Sequence, residues 1–462
     1  LTTLLYFNSS SNNGANVETN TESTQYDFSR FDAFMQDDID NGFPGATVGV
    51  WYKGEIIKLG AYGYKQIHDE NTPMRELGST DHNNEPSLPA SELDPVTADT
   101  IFGIASNSKM YGTVYAIQYL ITQGKLSLDD KVSDHLNGYA DAENAEATGK
   151  NAMSIRDLLY HTSGHAPVND FHIGEEGDEF YSQDRARTLE IMKKVPLVHD
   201  RNTVFAYSDT GFMLLGQIIE TVTGKRQDVF MQDTFYGPMG LTHTGYKLMD
   251  SPANGISYSI DQFAASETYG NTREGQVTFN NIRTETIRGE VHDEKAYYSM
   301  GSVAGHAGIL STAEDMLKLM SLMINDGEYA GVQYFSPEVI AEFTAPNPTS
   351  VPNASGTDTN IGYALGWNHN ERFNKSWLFG PYASETTIGH SGWVGTATLI
   401  DRENDLMIVL LSNKKNSHIK MDCGHDICGS FEMDKAPIGD YDPVMDEVYK
   451  TLGLPRLKPE TH

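Results

Sequence analysis

Three serines in the chain stand three residues ahead of a lysine: Ser106/Lys109 in GIASNSKM, Ser412/Lys415 and Ser417/Lys420. A hydroxyl spaced this way before an ammonium can become a nucleophile beside the group that takes its proton, provided a helix brings both onto one face. The first pair has that setting. From Met110 the apolar residues Met110, Val114, Ile117, Leu120 and Ile121 recur at helical spacing, which Gly124 ends. Ser106 then sits at or just inside a helix N-terminus with Lys109 one turn along. The unpaired N–H groups and positive dipole end there favour negative charge on the serine oxygen. Ser412 instead closes LMIVLL, which reads as a buried strand, and Ser417 follows in a polar stretch.

A nucleophilic serine also needs a group to protonate the leaving atom and donors for the oxyanion. Tyr207-Ser208-Asp209 stands immediately before a second apolar-periodic run, Phe212, Leu215, Ile218, Ile219 and Val222, so a loop with free side chains is expected there. Other Tyr-x-Asn/Asp triplets occur, such as Tyr269-Gly270-Asn271, and the triplet alone decides little. His390-Ser391-Gly392 immediately precedes the first strand of a C-terminal hairpin, where a glycine lets backbone approach a ligand closely. Lysine and tyrosine ordinarily titrate near 10, so either needs burial or a neighbouring charge to act as a base at neutral pH. Side by side they titrate as a pair. GEVHDEKA and AGHAG hold His292, Asp293, Glu294 and His306. Adjacent ligands on one strand or loop point apart, so a hydrogen-bonded loop shaping the rim of a site is expected there in preference to a metal centre.

These residues need a frame. FSRFDAFMQDDIDNG reads as an opening helix with Phe28, Phe31, Phe34 and Met35 on one side, and ATVGVWYKGEIIKLGAYGY as a hairpin turning at Lys53-Gly54. Residues 71–100 are rich in Pro, Ser, Asn and acids and read as a long surface loop. Helices and loops follow between Leu126 and Gly289, among them SIRDLLYHTSG and GFMLLGQIIETVTG. After the helix AEDMLKLMSLMINDG, a second hairpin is expected from VGTATLIDREND and LMIVLLSNK. Strands at both ends around a helical middle predict one sheet built from both ends of the chain, with a helical insertion beside it. The division expected is a flexible leader over 1–26, a sheet domain over 27–110 and 300–462, and a helical domain with active-site loops over 111–299. No internal repeat is apparent.

At 462 residues the chain can bury a large core, and 39% hydrophobic content reads as globular. Thirty-three basic against 64 acidic residues give a net charge of −31, which argues against nucleic acid and anionic membrane surfaces as partners. A surface so acidic fits a saline habitat. No run of eighteen apolar residues occurs, so firm membrane insertion is not expected. LTTLLYF reads either as the tail of a removed signal sequence or as a cloning remnant, and the polar tract after it as a flexible leader. The two cysteines, Cys423 and Cys428 in CGHDIC, could close a small disulfide loop in an exported protein. The rival, a metal held with His425, needs a fourth ligand nearby.

Taken in order, Ser-x-x-Lys at a helix start, Tyr-x-Asp before a second helix and His-Ser-Gly on an edge strand resemble the penicillin-recognising serine hydrolases. These are the low-molecular-mass penicillin-binding proteins, class C β-lactamases and related esterases. DTIFGIASNSKM, SIRDLLYHTSG, FAYSDTGFMLLGQIIE, the stretch from NTREGQVTFNN to AGHAG, and IGHSGWVGT are similar to the YfeW-type D-alanyl-D-alanine carboxypeptidases, from about Phe28 to Lys414. The resemblance implies an α+β fold of the β-lactamase/transpeptidase type, an antiparallel sheet flanked by helices with an inserted, mainly helical domain.

By the same resemblance Ser106 is the acylated nucleophile, Lys109 accepts its proton if neutral, and Tyr207 relays a proton to the leaving group. Asp209 stands where most of the superfamily has asparagine, and His390 where lactamases have lysine. Both, with Ser391 and Gly392, are implied to bind substrate. The backbone N–H groups of Ser106 and Trp393 are implied to form the oxyanion hole, and neither metal nor other cofactor is needed. The implied activity is that of a D-alanyl-D-alanine carboxypeptidase on peptidoglycan peptides in the periplasm or otherwise outside the cytoplasm, with membrane association through a removed or truncated N-terminal segment left open. An esterase, a D-aminopeptidase or a weak β-lactamase, taking small esters or β-lactams, is the alternative on the same scaffold. If His390 faces the terminal carboxylate of a substrate, an imidazolium there binds it best below a pH near 6.5.

Overall fold

The computed structural model describes residues 21–22, 25–272, 275–356, 362–423 and 428–459. Most of the leader expected over 1–26 lies outside them. Both hairpins form. Strands β2 (Gly45–Tyr52) and β3 (Glu55–Gly63) turn at Lys53 and Gly54, whose φ values of 49° and 100° give the handedness that a two-residue hairpin needs. Near the other end, β6 (Thr396–Asp401) and β7 (Leu406–Ser412) form the second hairpin.

With β1 (Thr21–Glu22), β4 (Asn368–His369) and β5 (Ile388–Gly392) they make a seven-stranded antiparallel sheet in the order β1-β3-β2-β7-β6-β5-β4. The two ends of the chain join where β2 pairs with β7, from Tyr52 opposite Leu406 to Ala46 opposite Ser412. This chain is therefore an α+β protein. His390-Ser391-Gly392 lies inside β5, not ahead of a strand: β5 is the third member of a meander, pairing residue by residue with β6. The short β4 covers only Ile388 and Gly389, so among the described residues the outer side of His390–Gly392 has no strand partner.

Why LMIVLL is continuously apolar follows from its two faces. Leu406, Ile408 and Leu410 point to a core shared with Phe28, Phe31 and Met35 of α1 (Ser29–Asp40) and its entry, and with Val444, Met445 and Val448 of α5 (Asp442–Thr451). Met407, Val409 and Leu411 point to the larger core under α4 (Ala313–Ile324), with α2 (Tyr115–Thr122) and α3 (Asp209–Thr223). Both sheet faces are covered, so the strand needs no polar side. A three-stranded sheet of Phe102–Gly103, Ile309–Ser311 and Gly245–Tyr246 carries the chain into Ser106. Among the described residues no helix is long and apolar enough to cross a membrane. Cys423 and Cys428 are joined as a disulfide, and His425 lies outside the described residues.

Candidate active site

Ser106 sits in a tight turn, not at the start of a regular helix. Ala105 has a φ of 46°, residues Ala105–Asn107 form one 3₁₀ turn, and Lys109–Val114 are wound as a π-helix before α2 begins. A non-glycine residue at positive φ is costly, and such strain persists where surrounding contacts hold it. Here they come from Asn107, which is fully buried. Its side-chain amide donates to Thr396 Oγ1 at 3.2 Å and accepts from Thr398 Oγ1 at 3.0 Å, and Thr396 Oγ1 donates in turn to the Ile104 carbonyl at 3.1 Å. The turn is thereby pinned to β6. Gly392 completes the approach: a Cβ there would meet Thr396 Oγ1 first, and would lie 2.7 Å from the Ile104 oxygen and 3.1 Å from Ala105 Cβ. The two segments expected to offer oxyanion donors, around Ser106 and Trp393, thus lie against each other.

Lys109 is wholly buried, and its ammonium meets three acceptors: Ser106 Oγ at 3.2 Å, the His306 carbonyl at 3.2 Å and Asp209 Oδ1 at 2.8 Å. Three donors for three acceptors satisfy the charged form. If the nitrogen is neutral, Ser106 is the partner that can reverse and donate its own proton to the lone pair. Burial lowers the Lys109 pKa, against the pull of Asp209.

Tyr207 stands across the same nitrogen, its ring centroid 4.7 Å from Lys109 Nζ. Its hydroxyl lies within reach of Ser106 yet makes no hydrogen bond of ordinary geometry among the described residues. Burial, then the Asp209 charge, raises its pKa well above the tyrosine range, so it is a phenol and a proton donor at neutral pH. The loop expected to leave Tyr207 free instead holds it. His161, itself at a φ of 57°, stacks between Tyr207 at 4.5 Å and Phe212 at 5.1 Å, and its Nδ1 accepts the Ser208 N–H at 3.0 Å. Ser208 caps α3, so Asp209 is fixed at the first turn of that helix.

His390 differs from expectation. It is buried, its ring 5.8 Å from that of Tyr207; its Nδ1–H donates to the Ser391 carbonyl at 2.7 Å, and its Nε2 faces Tyr363 Oη at 3.4 Å. Burial first and the Lys109 charge second push its pKa down to about 3. The imidazolium expected near pH 6.5 does not form there, because a charge buried beside the Lys109 ammonium is costly.

The loop expected to shape the rim lies inside the site. Lys295 donates to Asp293 at 3.0 Å and stands 3.5 Å from Asp209 Oδ2, while Asp293 accepts from His306 Nε2 at 2.7 Å. Asp209, Asp293 and His306 offer ligand atoms within 4.8 Å of one another, but two buried ammonium groups already balance the two carboxylates. Sequence reading noticed Asp293 and His306 and passed over Lys295, His161, Asn107 and Tyr363. The LYHTSG and HDEKA stretches were visible, but nothing in their spacing points at Ser106. The other Ser-x-x-Lys pairs serve structure: Ser412 Oγ donates to the Gly395 carbonyl, Ser417 Oγ to that of Lys414, and Lys415 pairs with Asp434.

The family model described as Beta-lactamase matches residues 29–422. An "N-acetylmuramyl-L-alanine amidase" of Bacillus subtilis (strain 168) is 40% identical over 94% of this chain and 91% of its own length. A protein of Escherichia coli O157:H7 named "Putative D-alanyl-D-alanine carboxypeptidase" is 37% identical over 92% of this chain and 90% of its own. Among solved structures, a penicillin-binding protein homologue from Caulobacter crescentus superposes with a TM-score of 0.59 at 19% identity, covering 92% of this chain and 98% of that one, a likeness of fold.

Proposed function

The chain belongs to the beta-lactamase family of serine hydrolases, and on that premise we propose that it hydrolyses amide bonds of peptidoglycan-derived peptides through an ester on Ser106. The observation that carries this reading is the buried Lys109 nitrogen 3.2 Å from Ser106 Oγ, with the Tyr207 phenol beside it. Ser106 Oγ attacks the carbonyl carbon as its proton passes to neutral Lys109. The oxyanion faces the N–H groups of Ser106 and Trp393. The C–N bond then breaks as Tyr207 gives its proton to the leaving nitrogen and regains one from the Lys109 ammonium. Water, deprotonated by the same pair, attacks the ester, and Ser106 recovers its proton as the acid departs. Such a substrate, together with the Cys423–Cys428 disulfide, supports an exported protein.

Two bonds fit this chemistry. D-alanyl-D-alanine is favoured by the ordered motifs and the Escherichia coli relative. The bond between muramic acid and L-alanine is favoured by the Bacillus subtilis relative, and by a neutral His390 where a substrate ending in a free carboxylate calls for a cation. Offering the protein a D-alanyl-D-alanine peptide, an N-acetylmuramyl-L-alanyl peptide, a penicillin and a short-chain ester, with intact-mass detection of adducts and identification of products, separates them. Free D-alanine supports the first bond and a released L-alanyl peptide the second. Turnover of the ester alone overturns the amide reading in favour of an esterase.

A further inference from the structure

Asp209 and Lys109 alone would make a poor general base. A carboxylate 2.8 Å from a buried ammonium holds the proton on it, and Asp209 presents that charge with burial sharpening the attraction. The other carboxylate oxygen, however, faces a second ammonium: Lys295 Nζ is 3.5 Å from Asp209 Oδ2, and Lys295 is as fully enclosed as Lys109, each 2% exposed or less. Lys295 is held from behind by Asp293 at 3.0 Å, and Asp293 by His306 Nε2 at 2.7 Å, while the carbonyl of that same His306 accepts from Lys109. The groups close a ring around the base.

We propose that Lys295 is a positioning residue for acylation: by sharing the Asp209 carboxylate from the side opposite Lys109, it frees Lys109 to give up its proton and accept that of Ser106. This rests on the acyl-serine reading above, though not on which bond is cut. The charged and titratable groups facing Lys109 divide by sign. Asp209 from α3 and Asp293 from the segment before Lys295 favour its charged form, and Lys295 opposes it. His161, from the loop after Ile155–Leu159, and His390, from β5, are buried and neutral, and Tyr207 is a phenol. Lys295 itself keeps its proton: burial works against it, but Asp293, Glu294 and Asp209 together raise its pKa. One lysine is thus fixed as a cation by several acids, and the other, in contact with one shared acid, is left to titrate.

The test follows acetyl-Ser106 formation from p-nitrophenyl acetate, by burst and intact mass, from pH 6 to 10. The rate rises with pH through the titration of Lys109. Lys295→Gln is expected to move that rise upward by about one pH unit or more, Lys295→Arg to leave it near wild type, and Asp209→Asn to move it downward. In Asp209→Asn with Lys295→Gln the rise returns to the wild-type position or below, because the carboxylate that contacts Lys109 is gone. This double variant carries no unpaired Asp209, so it serves even if Lys295→Gln does not fold. A rise unmoved in Lys295→Gln, or displaced upward in the double variant, overturns the role of Lys295 while acylation persists. No adduct at Ser106 in wild type at any pH overturns the acyl-serine reading and this one with it.

Discussion

Ser106→Ala removes the hydroxyl that faces the Lys109 nitrogen, the oxygen on which the acyl-serine proposal rests. If the two act as nucleophile and base, as proposed, they act as a unit, and a loss of at least about a thousandfold in kcat/KM is expected, with no acyl adduct by intact mass. Retained turnover with label on Ser412 or Ser417 would contradict it, and both hydroxyls are committed to backbone carbonyls. His390 makes a second prediction with a definite sign. With its pKa pushed down to about 3, the ring stays neutral from pH 5 to 8. The ratio of kcat/KM for a carboxylate-terminated peptide to that for a neutral ester is therefore expected to carry no step near 6.5. A fall centred there would mean a solvated, charged imidazole.

Gly392 joins two elements, β5 and the Ser106 turn, and space is tight between them. In Gly392→Ala the new methyl meets Thr396 Oγ1, the Ile104 carbonyl and Ala105, so strand and turn must part by a fraction of an ångström or more. The expected result is a loss of about a hundredfold in kcat/KM with a small drop in melting temperature, since catalysis feels displacements that packing tolerates. The Cys423–Cys428 bridge closes a short loop, its ends five residues apart. Replacing both by serine should cost about 2 kcal/mol or less in urea unfolding, by loop-closure entropy. Elements of this kind were readable where one local rule sufficed. Lys53-Gly54 announced its hairpin, and LMIVLL and the α3 and α4 periodicities announced theirs. The order Ser106, Tyr207, His390 was equally plain. The winding of Lys109–Val114 and the strain at Ala105 were not, because Thr396 and Thr398 of β6, bonded to Asn107, and Gly392 of β5 impose them from nearly three hundred residues away in the chain. The pairing of Lys295 with Asp209 was hidden for the same reason.

Across the whole molecule, buried histidines set the acid limit. Burial pushes His68, His369 and His418 down to about 4 and His165 and His390 to about 3, and lowers His161 and His172 as well. An unfolded histidine takes its proton near 6.5 and these do not, so the unfolded chain binds more protons and stability falls as pH drops below 6.5. The slope is about 1.4 kcal/mol per pH unit for each histidine within its window. Asp38, Asp442 and Asp446, raised to about 6 by burial, act oppositely between about 6 and 4, but they are fewer. Calorimetry should therefore find a falling melting temperature between pH 6.5 and 5; a rising one would mean that these rings are solvated. The seam where β2 meets β7 bears on biosynthesis. Emerging from a ribosome, the first hairpin must wait for a neighbour made hundreds of residues later, with one edge open to any passing strand. Ser106 waits with it, since the strands that clamp its turn are made nearly three hundred residues after it. The nascent polypeptide is thus catalytically mute until β5 and β6 are in place, and a product truncated before them is a hydrolase in sequence only.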